Sequence, residues 1–205
     1  MITVPESLSF YWSDPANMAA VNVLADVEAV PADLTLHEAE RFTLATLAAS
    51  RVRVEFWRFL RQLWSATWGE AVGTAFPLAR LLTYGEHEDF GDEDDYATPS
   101  VDFAWEDRAT TGVFDLRGGR SLFTYIGFAN GDREIEMKFY VFDPDEGNAT
   151  SDGLDLGANW TDDGESQRIT RPGLVTFASR DHEIDTKRLA SLASDAAVAL
   201  SAAVR

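Results

Sequence analysis

The chain lacks cysteine, and it has almost no lysine. Without a thiol neither a disulfide nor a thiolate metal site can form, so a secreted fold held together by bridges is excluded. Lys138 and Lys187 are the two lysines, and the other cations are arginine. With 35 acids against 17 bases, the formal net charge of the 205 residues is -18. Phosphates and anionic lipids are bound by concentrated Lys and Arg, so direct binding to nucleic acid or to a membrane surface is not expected.

Targeting and membrane signals are also missing. Residues 1–13 show no basic region followed by an apolar core, and no stretch approaches the about 20 apolar residues that span a bilayer. The sequence therefore predicts a cytoplasmic protein. Few lysines, many aspartates and no cysteine are typical of the proteins of salt-adapted archaea. One interpretation is therefore a halophilic structural or interaction protein whose acidity serves only its solubility.

A central antiparallel sheet is predicted between residues 101 and 143. Apolar and polar residues alternate with a period of two over 101–106 and 135–142, and the stretch 121–128 is apolar enough for a strand covered on both faces. Gly118-Gly119 and Asn130-Gly131 supply residues that tolerate the positive φ angles of tight hairpin turns.

Helices are predicted on both sides of the sheet in the sequence. Asp14 followed by Pro15 opens a short helix to about residue 27, Thr35 with Glu38 forms a capping box for a long helix to about residue 69, and Asp185 caps a C-terminal helix. A first strand is also expected over 2–12 and a last one over 173–178.

The expected architecture is a single α+β domain over residues 1–205, with a central antiparallel sheet of about four to six strands and helices packed mainly on one face. Its parts are a mainly helical stretch (1–84), an acidic loop (85–100), the sheet (101–180) and the C-terminal helix (181–205). Within the sheet part, the acidic stretch 143–167 is expected to form a long loop or an irregular hairpin, anchored by Leu154, Leu156 and Trp160.

The long helix carries two apolar stripes. One, formed by Val52, Phe56, Phe59, Leu60 and Leu63, is assigned to the sheet. The other consists of Trp57, Trp64 and Trp68. These tryptophans either pack under a neighbouring helix or form an exposed partner surface, through which a homodimer could also assemble, since Trp is typical of interface anchors.

Two base-free acidic tracts are the most unusual feature of the sequence. The first has no base between Tyr84 and Arg108, and the second covers residues 143–167. Such runs repel themselves and predict mobile surface loops. The acids of the first tract that we expect to contact a partner are Glu86, Glu88, Asp89, Asp92, Glu93, Asp94 and Asp95.

One motif suggests catalysis. Glu136-Met137-Lys138 on a predicted strand, preceded by Asp115, resembles the catalytic core of the PD-(D/E)xK nuclease superfamily. The resemblance implies that Asp115 and Glu136 hold Mg²⁺ and that Lys138 assists the attacking water. Alternation also makes Glu136 and Lys138 neighbours on one face of any strand, where they would form a plain ion pair.

Other reaction centres have no support in the sequence. His37, His87 and His182 lack metal-ligand spacing, and the stretch from Asp143 fails the EF-hand pattern because Asn148 and Leu154 stand where Gly and Glu are needed. We therefore expect no resident cofactor or metal. The favoured hypothesis is a non-catalytic binding protein for a basic protein partner, of the inhibitor, immunity, antitoxin-like or phage anti-defence class, in which carboxylates imitate the phosphates of a nucleic acid.

Overall fold

The computed structural model describes residues 2–27, 29–82, 102–104, 109–116, 119–129, 134–143, 147–148, 154, 156, 160–162, 167–172 and 183–203. The chain groups into two compact units. One comprises Met1–Ile2, Leu60–Val175 and Ile184–Arg205, and the other Thr3–Phe59 and Thr176–Glu183. The single domain expected for residues 1–205 stays a prediction.

The N-terminal region is helical almost from its start. After β1 (Ile2–Thr3), α1 (Glu6–Ser13) and α2 (Pro15–Ala25) follow, and Asp14 caps α2 by accepting a hydrogen bond of 2.7 Å from the backbone N–H of Ala16. Apart from the two residues of β1, the strand expected over 2–12 is therefore wrong. Among the α1 side chains that the structure describes, Leu8 and Tyr11, three residues apart, are fully buried, while Phe10 is exposed. A short apolar run fits either period, and here the helical spacing decides which residues are buried.

The long helix α3 (Leu36–Trp64) begins at the predicted capping box. The Thr35 N–H donates to Glu38 Oε2 at 2.9 Å, and the Glu38 N–H donates to Thr35 Oγ1 at 3.4 Å. Beyond Trp64 the chain continues as a π-helical turn (Ser65–Gly69) and then as α4 (Glu70–Ala75). Helical structure therefore runs past the predicted end near residue 69.

The predicted antiparallel sheet is confirmed. Its four longer strands are β4 (Ala109–Asp115), β5 (Ser121–Ala129), β6 (Glu134–Asp143) and β9 (Gln167–Pro172), and they neighbour one another in that order. Four short strands complete it: β2 (Arg80–Leu81) and β3 (Asp102–Ala104) beside β4, β7 (Gly147–Asn148) beside β6, and β8 (Thr161–Asp162) beside β9.

Parts of the sheet differ from the prediction. The stretch 143–167, expected as a long loop or an irregular hairpin, contains the two short strands β7 and β8, and its last residue begins β9. The strand predicted over 173–178 lies outside the described residues, as does the Asn130-Gly131 turn. The turn between β4 and β5 is described in part: Gly119 has a positive φ of 84°, and the Leu116 N–H donates to the Arg120 carbonyl at 2.8 Å.

One sheet face is lined by buried apolar side chains. The alternate residues Ile135, Met137, Phe139 and Val141 of β6 are all at most 2% exposed. The residues opposite them on β5 share this face, because paired positions of antiparallel strands point the same way. Trp64 and Trp68, from the end of α3 and the π-helical turn, contact this face.

Two elements complete the chain. β10 (Glu183–Ile184) precedes α5 (Thr186–Ala203), and Asp185 Oδ1 accepts from the backbone N–H of Arg188 at 3.2 Å, as expected of its cap. α5 packs against the π-helical turn and α4. Leu189, Ala193, Ala196 and Leu200 of its predicted stripe are at most 1% exposed.

Candidate functional site

The three residues of the nuclease-like motif do not converge. Asp115 ends β4 opposite Ser121 of β5, and Ser121 lies opposite Phe142 of β6. Glu136 lies six residues before Phe142 on that strand, so the two carboxylates are two strands and six residues apart, on the order of 20 Å by standard sheet spacings. One Mg²⁺ ion needs its ligand oxygens about 2.1 Å away. The described backbone does not build the site that the resemblance implies.

Glu136 and Lys138 form the ion pair expected of an ordinary strand. Lys138 Nζ lies 3.4 Å from Glu136 Oε2. It also lies 5.1 Å from the ring centroid of Tyr125, which stands directly opposite Lys138 on β5. Glu136 itself is 9% exposed, so the ammonium compensates a carboxylate that is largely removed from water. Among the described residues, no group of three or more His, Asp or Glu side chains could hold a metal ion.

Only part of each acidic tract lies among the described residues. The seven acids from Glu86 to Asp95 lie outside the described residues, and their partner-binding role stays a prediction. The first acid of the second tract, Asp143, is 7% exposed and receives a 2.7 Å hydrogen bond from Arg120 Nε. This residue therefore packs into the body of the protein rather than projecting from it as a loop acid. Its charge is compensated within the chain.

Trp64 is a core residue, which overturns the idea that it forms an exposed partner surface. It is 4% exposed, and its Nε1–H donates to Thr124 Oγ1 at 3.1 Å. The hydroxyl of Thr124 in turn donates to the Gly112 carbonyl at 2.9 Å. The indole also stacks on Phe114 with ring centroids 5.8 Å apart. This geometry attaches the end of α3 to β4 and β5.

Trp68 is buried in the same way, with 1% of its surface exposed. Its Nε1–H donates to the Tyr125 carbonyl at 2.9 Å, and its ring lies 5.6 Å from Phe139 and 6.1 Å from Trp160 by their centroids. Trp160, predicted as an anchor of the second acidic tract, is confirmed as a core contact. Trp57 is partly buried in the other unit, so the three tryptophans do not form one exposed stripe.

Gly112 was not expected to have a structural role. It lies in the interior of β4, and its face is occupied by the indole of Trp64. Glycine inside a strand often marks a place where another group approaches the backbone closely, so the sequence contained a usable signal.

The second sheet face is also largely apolar in its middle. Leu82, Val113 and Phe123 form a buried cluster, and Tyr140 stacks on Phe123 with centroids 4.5 Å apart and an interplanar angle of 7°. Together with Leu122 on the first face, Phe123 confirms that β5 is covered on both sides. These aromatic groups have packing partners and do not form a free binding surface.

No protein-family model, curated protein or solved structure matches this chain. Among the helices of the described residues, none combines the length and the apolar character that crossing a membrane requires.

Proposed function

We propose that this chain is a non-catalytic binding protein that offers its acidic tracts to a basic surface of a partner protein. The supporting observation is how the charge is distributed. Residues 84–107 and 143–167 together hold 18 of the 35 acids and none of the 17 bases. The rest of the chain therefore carries 17 acids and 17 bases and is formally neutral. The whole net charge of the protein is placed in two stretches.

This distribution favours a partner over general solubility. Adaptation to a salty solvent needs negative charge over the whole surface, because every exposed part must stay hydrated. Here the remainder of the chain has balanced charges, and some of them pair with each other, as in the 2.5 Å contact between Arg53 Nη1 and Asp26 Oδ1. A concentrated array of carboxylates instead matches a basic surface, where charge complementarity speeds association and selects the partner.

The chemistry fits an inhibitor, immunity or anti-defence protein. A partner that binds nucleic acid through Lys and Arg presents a groove suited to closely spaced negative charges. Carboxylates can occupy such a groove in place of phosphates. The proposal therefore names the partner by its surface: a basic protein whose own ligand is a polyanion.

The test compares two variants of equal charge. In the first, Asp89, Asp92, Glu93, Asp94 and Asp95 are changed to the corresponding amides. In the control, five acids that are exposed and lie outside both tracts are changed in the same way: Glu6, Asp33, Glu40, Glu70 and Asp195. Each variant is five units less negative than the wild-type protein. The probe is a fluorescein-labelled arginine-rich peptide, followed by anisotropy at physiological salt.

We expect the tract variant to bind the peptide at least about tenfold more weakly and the control variant to stay within about twofold of wild type, because charges more than about 8 Å from the peptide are screened at this salt. Equal weakening of both variants would show that only the total charge matters, and the proposal would fail. Salt-dependent folding, followed by circular dichroism in both variants, would then identify solvent adaptation as the role of the acids.

A further inference from the structure

The two short strands beside β4 are in different registers along the same edge. On β2, Arg80 faces Asp115 and Leu81 faces Phe114, and the N–H of Leu82 donates to the Val113 carbonyl at 2.8 Å. If β3 continued this register, the residue opposite Thr111 would be residue 84. It is Asp102, 18 positions later. Both short strands run antiparallel to β4, and β5 occupies the other side of β4 along its whole length.

The opposite edge of the sheet repeats this arrangement. On β7, Gly147 faces Asp143 and Asn148 faces Phe142 of β6. If β9 continued this register, the residue opposite Phe139 would be residue 151. It is Gln167, 16 positions later. Again both strands run antiparallel to β6 on the side that β5 leaves open.

We infer that each of these edges is one strand interrupted by an insertion, and that the underlying sheet is a five-stranded antiparallel meander. The insertions are 18 and 16 residues long. The side chains beyond each insertion keep the faces that their pairing with β4 or β6 gives them. The first interruption lies opposite Gly112 of β4, which pairs with Thr124 of β5 and through it aligns with Phe139 of β6. The second interruption begins one position along β6 from Phe139.

The first insertion corresponds to residues 84–101, and this segment contains all seven acids from Glu86 to Asp95. In an uninterrupted strand, the registers of β2 and β3 would leave one position between Leu82 and Asp102, opposite Gly112.

The second insertion is a poor target for the same experiment. It corresponds to residues 151–166 and includes Trp160, whose ring packs 5.2 Å from Phe139 and 6.1 Å from Trp68. Removing it would take a buried aromatic side chain from the core, and any loss of stability would not report on the register. The test is therefore made on the first insertion.

The experiment deletes residues 84–101 from the full-length chain, and a control deletes residues 84–100. The 18-residue deletion should leave the thermal unfolding midpoint at or above that of the wild-type protein, because it joins two strands in register and shortens a connection. Cross-strand nuclear Overhauser effects between Arg80 and Asp115 and between Asp102 and Thr111 should both persist. The 17-residue deletion keeps one more native residue, yet it should unfold at a lower temperature because the extra residue forces a bulge or a slip.

Two outcomes would overturn the inference: an unfolded 18-residue deletion, or one no more stable than the 17-residue deletion. Peptide binding separates this result from the proposed function. A folded 18-residue deletion that no longer binds the arginine-rich peptide supports both. A folded 18-residue deletion that still binds the peptide with wild-type affinity supports the inference of an interrupted strand but refutes the role proposed for the first tract.

Discussion

The indole of Trp64 fills the space that a side chain at Gly112 would need. A β-carbon built on Gly112 would lie 2.6 Å from Trp64 Cε2 and 2.8 Å from Cη2, well inside van der Waals contact. The same indole donates its N–H to Thr124, the residue opposite Gly112 on β5. The backbone of β4 at Gly112, which has no side chain, is thus part of the surface that Trp64 at the end of α3 contacts. The choice of glycine at this position follows from the size of the tryptophan above it.

Gly112→Ala should therefore destabilise the protein. Overpacking of a filled core costs about 1–3 kcal/mol and occasionally more, and we expect the upper end because the neighbouring atoms belong to a rigid ring and a strand. The measurement is the free energy of unfolding from urea denaturation. Gly73→Ala is the matched control, since a β-carbon on Gly73 of α4 meets nothing within 4 Å. That change should be neutral or stabilise the protein by up to about 1 kcal/mol.

A double-mutant cycle identifies the cause of the Gly112→Ala effect. In a Trp64→Leu background the space above Gly112 is larger, so the same Gly112→Ala change should cost clearly less than it does in the wild-type protein. If its cost is unchanged in that background, the indole is not what excludes the β-carbon.

Trp68 should matter for stability and not for partner binding. Trp68→Ala removes a buried ring that contacts Phe139 and Trp160, and we expect a loss of about 3–5 kcal/mol in the free energy of unfolding. The milder Trp68→Phe loses the N–H bond to the Tyr125 carbonyl. It should leave the affinity for the arginine-rich peptide unchanged. Trp57→Ala, at a partly buried position, should cost less stability than Trp68→Ala. Weaker peptide binding by folded Trp68→Phe would restore the tryptophan surface as a hypothesis.

Local signals in the sequence predicted local structure well. The alternation over 135–142 identified the buried face of β6, and Thr35 with Glu38 identified the start of α3, because each pattern depends on residues a few positions apart. The N-terminal region shows the limit of such patterns. Over eight residues of α1, apolar side chains satisfy the strand period as well as the helix period, and only the burial of Leu8 and Tyr11 separates the two.

Long-range relationships could not be obtained in this way. The apolar arc at the end of α3 is wide, so periodicity alone does not say which of its two stripes meets the sheet. The tryptophan stripe was expected against a helix or a partner, whereas Trp64 and Trp68 contact the sheet. The interrupted edge strands could not be predicted either, because the registers of β2 and β3 are defined by their pairing with β4 and not by their own residues. Asp115 and Glu136 were grouped because both are acids, whereas the strand registers place them two strands and six residues apart.

Removing the charge of Lys138 should weaken the fold without affecting any metal-dependent property. Lys138→Met keeps an apolar stem over Tyr125 but leaves the largely buried Glu136 without this cation, and we expect a loss of about 1 kcal/mol, intermediate between exposed and buried pairs. The double variant Lys138→Met with Glu136→Gln should recover much of that loss. In a thermal scan, Mg²⁺ should shift the wild-type midpoint no more than it shifts that of Glu136→Gln. A Mg²⁺ stabilisation abolished by Glu136→Gln would indicate that the nuclease-like residues bind metal after all.

The stabilisation that the capping box gives to the start of α3 should be lost in acid. The Thr35 hydroxyl, and to a lesser extent its backbone N–H, donate hydrogen bonds to Glu38 and lower the pKa of that carboxyl below its ordinary value of 4.5. Because the folded pKa lies below the unfolded one, the stabilisation is fully present above about pH 4.5 and is lost as the pH falls through the folded value. An NMR titration of the Glu38 carboxyl measures this directly. Thr35→Val should move its pKa up towards 4.5, whereas Thr35→Ser, which keeps a hydroxyl, should leave it low. If both variants titrate alike, the hydroxyl is not the source of the shift.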